Sequence, residues 1–149
     1  MNLIMLGDVV GDGGTGALLS YLPSLKKQYA ADTVIVNGEN SAQGNGILPA
    51  SAKKIFDSGA DCITTGNHVF KRREIYEILD EESAIIRPIN YSNKTPGRGV
   101  YIIDRLKYKI AVINLMGVTN MEPLRNPFEA IDEALENIET STNKNIDEI

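Results

Sequence analysis

Short runs of β-branched and apolar residues alternate along the chain with stretches of helical spacing. The runs at 2–6, 33–36 and 61–65 predict three strands. Helical spacing of leucines predicts a helix from about residue 15 to just before residue 31, which Pro23 is expected to kink or divide. Pro49 and Gly59 are typical of the first turn and the cap of a second helix. This order predicts parallel βαβ units, with the first strand buried on both faces.

The second half of the chain predicts a different arrangement. A third helix is expected at 71–79, followed from residue 85 by loops. Strands at 100–103 and 109–115, joined tightly, predict a β-hairpin. The last predicted helix opens at Asn126-Pro127 and has an apolar stripe on its inner face, made of Phe128, Ile131, Leu135 and Ile138. We expect one domain over residues 1–139 and a polar, aperiodic tail over 140–149.

Composition narrows the class of protein. A net charge of −5 argues against broad binding of nucleic acid, although a metal in a cleft could still attract a phosphate. The one cysteine, Cys62, lies in a predicted strand, so we expect a reduced and inert core thiol rather than a disulfide or a thiolate metal cluster. The chain has no apolar run long enough for a signal peptide or a membrane span, which predicts a cytoplasmic protein without membrane contact.

Polar side chains follow each of the three predicted parallel strands. Asp8 follows the first, Glu39 and Asn40 follow the second, and Asn67 and His68 follow the third, at spacings of about thirty residues. Right-handed crossovers bring the carboxyl ends of such strands to one edge of the sheet, where open α/β folds bind ligands. Carboxylate and amide oxygens suit a divalent cation, and a pair of cations is a standard device for hydrolysing phosphate esters.

Each of these residues also has a structural explanation. Asp8 suits an Asx-turn, Glu39 suits a helix dipole, and asparagine tolerates left-handed backbone. The basic run at 71–73 suits a solvated helix face, and Tyr91 and Arg98 suit loop packing. The coincidence at three consecutive strand ends favours a functional site for the first group.

A glycine pattern offers a competing interpretation. Residues 11–16, Gly-Asp-Gly-Gly-Thr-Gly, match the spacing of the dinucleotide-binding fingerprint between a strand and a helix. The first glycine of that fingerprint follows its strand directly, whereas residues 7–10 intervene here. No lysine follows Gly16, so the pattern of a Walker-type phosphate loop is not met.

Taken together, the motifs resemble the calcineurin-like metallophosphoesterases, in the bacterial branch that hydrolyses 2′,3′-cyclic nucleotides. The resemblance runs through Ile138, and its marks are Gly7-Asp8-Val9-Val10-Gly11, Asn37-Gly38-Glu39-Asn40, Gly66-Asn67-His68, Pro96-Gly97-Arg98-Gly99, Leu115-Met116-Gly117 and Pro127-Phe128. It implies a four-layer α/β/β/α sandwich, of which this chain would form the amino-terminal part. It further implies a phosphodiesterase that cleaves small phosphodiesters with a metal-activated hydroxide.

The resemblance also implies roles for individual residues. Asp8, Glu39 and Asn40 would bind one metal, Glu39 and Asn67 a second, and His68 would donate a proton to the leaving oxygen. The cofactors would be two divalent ions, iron or manganese, with magnesium as a further option. No residue is assigned to substrate binding.

Two departures from the family pattern shape these expectations. Phe70 stands where the family usually has tryptophan, and the family's later histidine ligands have no counterpart, because His68 is the single histidine. Oxygen ligands alone would favour a manganese- or magnesium-like site. Half a sandwich would leave apolar hairpin surface uncovered, so we expect a homo-oligomer or a complementing chain. The alternative functions are a non-catalytic remnant that binds metal or a partner, and a dinucleotide-binding domain.

Overall fold

A four-stranded parallel sheet forms the centre of the fold. We describe it from a computed structural model that covers the backbone of residues 1–147 and the side chains of residues 1–141. The strands are β1 (Leu3–Leu6), β2 (Thr33–Asn37), β3 (Cys62–Thr64) and β4 (Ile85–Ile86), in that order across the sheet. All three neighbouring pairs are parallel, which confirms the predicted βαβ units; the two-residue β4 was not predicted.

Four helices and a hairpin surround this sheet. The helices are α1 (Gly11–Gln28), α2 (Pro49–Asp57), α3 (Tyr76–Glu81) and α4 (Pro127–Asp147). The hairpin consists of β5 (Val100–Arg105) and β6 (Tyr108–Ile113), which pair antiparallel as predicted. Within residues 1–147, no helix is both long and apolar enough to cross a membrane.

Side chains of the parallel strands alternate between two hydrophobic layers. Val34 and Val36 of β2 face a core that includes Leu22 of α1 and Ile55 of α2. Ile35, between them, packs in a second cluster with Cys62, Ile86, Ile103 and Val112, which joins the sheet to the hairpin. Successive side chains of a strand point to opposite faces, so one sheet supports helices on one side and a hairpin on the other. With α4 beyond the hairpin, this is the expected order of layers, α/β/β/α.

The first strand is less buried than expected. Leu6 and Ile4 pack against the helical core, but Leu3 is 41% exposed and Met5 is 68% exposed. These two side chains lie on the hairpin side of the sheet, where the two-stranded hairpin does not reach β1. The prediction of burial on both faces was therefore wrong for β1. Self-association through uncovered apolar surface stays a prediction.

Helix boundaries and faces differ from the predictions in four places. Helix α1 begins at Gly11 rather than near residue 15 and continues through Pro23 without dividing. The expected helix at 71–79 consists of two 3₁₀ turns followed by the six-residue α3. On α4, Ala130 and Ala134 are buried, whereas Phe128 is 78% exposed and Leu135 46% exposed. The small alanines face inward because they let the helix pack more closely against the rest of the fold. The apolar stripe that was predicted to face inward is therefore turned partly towards solvent.

The carboxyl-terminal segment continues the last helix. The backbone of α4 is helical through Asp147, so residues 140–147 are not the aperiodic tail that was expected. Residues 148 and 149 of that predicted tail lie outside the described residues. Cys62 is fully buried, and burial raises the pKa of its thiol to about 12, which agrees with the inert core cysteine that was expected.

Candidate metal centre

The three predicted strand ends meet at one edge of the parallel sheet. In the register of the sheet, Leu6 of β1 pairs with Val36 of β2, and Asn37 pairs with Thr64 of β3. After these neighbouring positions the chain continues to the candidate residues. Asp8 follows β1, Glu39 and Asn40 follow β2, and Asn67 and His68 follow β3. The register alone therefore places all five candidate side chains at the carboxyl edge.

Asn40 links Asp8 to His68. Its amide nitrogen donates to both carboxylate oxygens of Asp8, at 2.8 and 2.9 Å. Its amide oxygen lies 2.6 Å from Nδ1 of His68. An amide oxygen only accepts hydrogen bonds, so in this arrangement Nδ1 carries a hydrogen and Nε2 is the ring nitrogen left for other partners.

Glu39 is held against the backbone of the next strand end. Its Oε2 accepts a hydrogen bond from the backbone N–H of His68 at 3.2 Å. A Cβ built on Gly66 would lie 2.5 and 2.6 Å from the two carboxylate oxygens of Glu39, closer than real Cβ atoms approach. A Cβ at position 66 would therefore force the Glu39 carboxylate to move, so the glycine leaves room for the carboxylate at this place.

Asn67 is the least connected of the five residues. It lies between Gly66 and His68, and its side chain is half-buried. Within residues 1–141, no hydrogen bond joins that side chain to the other four candidates. The structure thus brings Asp8, Asn40, His68 and Glu39 into one hydrogen-bonded group and leaves Asn67 beside it.

Among the described side chains, neither Asp8 nor Glu39 forms an ion pair with lysine or arginine. Nor do any three His, Cys, Asp or Glu side chains there lie close enough to hold a metal together. Two carboxylates and two amides are nonetheless an oxygen donor set that fits a hard divalent cation with water in its remaining positions. For Asn40 to bind such a cation together with Asp8, its amide must turn over, because its NH₂ group now faces the carboxylate.

Two buried asparagines build an outer wall that sequence reasoning missed. Asn114, just after β6, donates to the carbonyl oxygens of Thr65 at 2.7 Å and Ile86 at 3.1 Å. Asn90 donates to the carbonyls of Met116 and Arg125 and accepts from the backbone N–H of Met116. These bonds hold segments 87–98 and 114–125 at the same edge as the candidate metal centre. The signal in the sequence was an asparagine enclosed by apolar residues, as in Ile113-Asn114-Leu115.

Arg87 fixes the shape of segment 87–98. It is 4% exposed, and its guanidinium donates to backbone carbonyls of the loop that follows, including those of Pro96 at 3.0 Å and Pro88 at 3.0 Å. Burial lowers the pKa of Arg87, and the charge of Asp80 opposes that change. The loop therefore has an internal scaffold and does not depend on solvent contacts for its shape.

Tyr91 stands between the candidate metal centre and this outer wall. Its ring packs edge-on against Phe70, two residues after His68, with 5.2 Å between ring centroids. Its hydroxyl donates to Oε1 of Glu122 at 2.8 Å. Burial raises the pKa of Tyr91, and the hydrogen bond to Glu122 and the charges of Glu122 and Glu39 raise it further. Tyr91 is therefore a protonated donor, and its packing role was expected while its contact with Glu122 was not.

The remaining basic candidates lie outside this group. Arg72 donates from Nε to the backbone carbonyl of Asn45, whereas Lys71, Arg73 and Arg98 are exposed. The glycine-rich residues 11–16 form the first turns of α1 rather than a loop before a helix. This placement does not favour the dinucleotide-binding interpretation, in which the glycines form the turn that precedes the helix.

Comparison with known proteins places the chain in a family. The family model described as YmdB-like protein matches residues 4–147. The 2′,3′-cyclic-nucleotide 2′-phosphodiesterase of Bacillus subtilis (strain 168) is 38% identical over 135 residues, which is 91% of this chain and 51% of that protein. A putative phosphatase/phosphodiesterase of Mycoplasma pneumoniae is 30% identical over 141 residues, covering 50% of its length. The chain thus spans about half the length of the curated relatives it matches.

Two solved structures share the fold. The crystal structure of a hypothetical protein from Thermus thermophilus matches with a TM-score of 0.85 at 35% identity, over 91% of this chain and 53% of that one. The crystal structure of a novel phosphatase from Mycoplasma pneumoniae matches with a TM-score of 0.82 at 30% identity, over 91% and 50%. These matches confirm the resemblance to metallophosphoesterases, and the chain belongs to the family of YmdB-like proteins.

Proposed function

We propose that this chain takes part in metal-dependent hydrolysis of small phosphodiesters, with 2′,3′-cyclic nucleotides as the substrate class. The observation that carries the proposal is the pair of carboxylates, Asp8 and Glu39, held at the carboxyl edge beside His68 with no lysine or arginine partner among the described side chains. The name of the Bacillus subtilis relative supports the substrate class. The match covers about half of that relative, so the activity is proposed here for the chain's own residues.

The donor set suggests which residues would hold the metal. Asp8 and Glu39 supply charge, Asn67 supplies an amide oxygen, and Asn40 joins them once its amide turns over. A divalent cation bound there would supply a positive charge for the phosphoryl oxygens and would acidify a water molecule into hydroxide. The resemblance implies iron or manganese, and oxygen donors favour manganese, with magnesium as the alternative.

The chain's own residues would handle the proton. When Asn40 turns over to bind the cation, its NH₂ group would donate to Nδ1 of His68, and the proton of the neutral ring would then lie on Nε2, from which it can pass to the leaving oxygen. The backbone bond from His68 to Glu39 keeps the imidazole close to the carboxylates. His68 is therefore proposed as the general acid, and Asn40 as the residue that orients it.

Hydrolysis of 2′,3′-cyclic AMP in the presence of manganese tests this proposal. We expect the folded chain to hydrolyse it and Glu39→Ala to lower the rate at least 100-fold, because the carboxylate between the two strand ends is lost. Glu136→Ala, which removes an exposed carboxylate of α4, is the matched control and should keep the rate. Equal rates for Glu39→Ala and Glu136→Ala would contradict the proposal.

A second candidate function is binding without turnover. It is favoured by the donor set, because no three His, Cys, Asp or Glu side chains of the described residues lie close enough to hold a metal together. Calorimetric titration with manganese separates the two candidate functions. Saturable binding that Glu39→Ala abolishes, with no hydrolysis by the folded chain, would select the binding function.

A further inference from the structure

A cavity opens at the same edge of the sheet as the candidate metal centre. It has a volume of about 730 Å³ and lies between segments 90–95 and 122–125. Both segments are anchored to the carboxyl edge, because Asn114 binds the carbonyl of Thr65 at the end of β3 and Asn90 joins the two segments to each other. A cavity of this size is within the range of small-molecule sites, and the hydrogen bonds of the buried Asn90 hold its two walls together.

Tyr91 connects the cavity to the candidate metal centre. The tyrosine is 7% exposed, and its ring packs on Phe70, which follows His68 by two residues. Its hydroxyl reaches the cavity and donates to Glu122 at 2.8 Å. One side chain thus packs on Phe70, in the segment that carries His68, and also provides a fixed donor to the carboxylate in the cavity.

The lining suggests the chemistry of a ligand. Arg125 is paired with Glu133 at 2.6 Å, while Glu122 and Lys94 contribute one further charge of each sign. The lining therefore has no excess positive charge to attract a second phosphate. Pro123 and Leu124 add apolar surface, and Glu122 can accept several hydrogen bonds, of which Tyr91 uses one. A neutral group with hydroxyl or amino donors and a flat apolar face fits this lining.

We propose that this cavity is the subsite for the nucleoside portion of a phosphodiester, with the Glu122 carboxylate accepting hydrogen bonds from sugar hydroxyl or base amino groups. Tyr91 is a positioning residue that holds Glu122 in place. The proposal rests on the proposed function for its choice of a nucleoside, since the phosphodiester group would lie at the neighbouring metal centre. Its geometry is independent of that function.

Binding of adenosine tests the subsite without metal or catalysis. Adenosine titrated into ¹⁵N-labelled protein should shift amide signals in segments 90–95 and 122–125 in a saturable way. Glu122→Gln should weaken adenosine binding about tenfold, because a carboxylate accepts hydrogen bonds more strongly than an amide. Glu136→Gln is the matched control on α4 and should leave the affinity unchanged, and Tyr91→Phe should weaken binding by a smaller factor. Near-ultraviolet circular dichroism confirms that each variant is folded.

Substrate preference supplies a second readout. The ratio of kcat/KM for 2′,3′-cyclic AMP to that for bis(4-nitrophenyl) phosphate should fall about tenfold in Glu122→Gln and stay constant in Glu136→Gln. The subsite is wrong if adenosine shifts neither segment, or if both glutamine variants bind it equally. Adenosine binding at these segments with no hydrolysis of either ester would support the subsite and overturn the proposed function, so the two failures are distinguishable.

Discussion

The two edges of the parallel sheet hold acidic side chains in opposite ways. At the amino edge, Asp61 accepts from Arg105 at 2.8 Å, lies 4.0 Å from Lys26, and accepts the backbone N–H of Val34 at 2.8 Å. At the carboxyl edge, Asp8 and Glu39 bind only an amide side chain and a backbone N–H among the described residues. Acidic side chains therefore pair with cations at one edge, and those at the other edge have no cationic partner among the described residues.

This difference separates an ion pair that supports the fold from charges that suit a ligand. The Asp61 group ties the hairpin, through Arg105, to the start of β2 and β3. The carboxyl-edge group joins three strand ends through an amide, an imidazole and a backbone N–H, so its carboxylates have no cationic partner among the described residues. We therefore expect substitutions at the amino edge to change stability, and substitutions at the carboxyl edge to change metal binding.

Removal of Asp61 should produce the largest change in stability. Asp61→Ala leaves Arg105 and the Val34 N–H without their acceptor in a partly buried position, so we expect a loss of about 3 kcal/mol in the free energy of unfolding. Urea denaturation measures this loss in the free energy of unfolding. Asp8→Ala, at the other edge, should change stability by less than about 0.5 kcal/mol. Equal losses in the two variants would remove the distinction between the edges.

Addition of manganese should stabilise the chain through the carboxyl edge alone. A ligand that binds only the folded state at ten times its dissociation constant adds about 1.4 kcal/mol to the free energy of unfolding. We expect thermal or urea unfolding of the unaltered chain to show this gain in stability when manganese is added. It should disappear in Asp8→Asn, which keeps the shape of the side chain and removes its charge. An unchanged gain in that variant would place the cation elsewhere.

The contact between Gly66 and Glu39 should give a smaller effect on metal affinity. Gly66→Ala forces the carboxylate of Glu39 to move while the backbone stays, so manganese binding should weaken about fivefold, close to 1 kcal/mol. Gly7→Ala is the matched control, because a Cβ at this other strand end meets nothing within 4 Å. Calorimetric titration of both variants gives the comparison. Similar affinities for the two would show that the position of the Glu39 carboxylate is not critical.

Local sequence patterns predicted the parallel sheet, the hairpin and the convergence of the five candidate residues. These features follow from periodicity and from the handedness of crossovers, which any βαβ sequence must obey. The fully buried Val34 and Val36 of β2 are the clearest case, because an apolar strand inside the sheet is covered on both faces.

Features that depend on a distant partner were not predictable in this way. Met5 has the composition of a core residue, yet it is exposed because the hairpin does not extend over β1. Phe128 and Ala130 are two residues apart, on opposite sides of α4, and only the packing decides that the alanine faces inward. The Tyr91 and Glu122 contact joins positions 31 residues apart in two irregular segments, which no periodicity describes.

The hydrogen bonds of Asn114 also have a consequence for the order of folding. They join this residue to Thr65 and Ile86, which are 49 and 28 positions earlier in the chain. Closing the 49-residue loop to Thr65 costs more chain entropy than closing the 28 to 32 residues that separate Asp8, Asn40 and His68, and the loop to Ile86 is no longer than these. During refolding, the carboxylates of β1 and β2 can therefore come together before the cavity wall is complete. The chain would gain affinity for a cation at an earlier stage than affinity for a nucleoside.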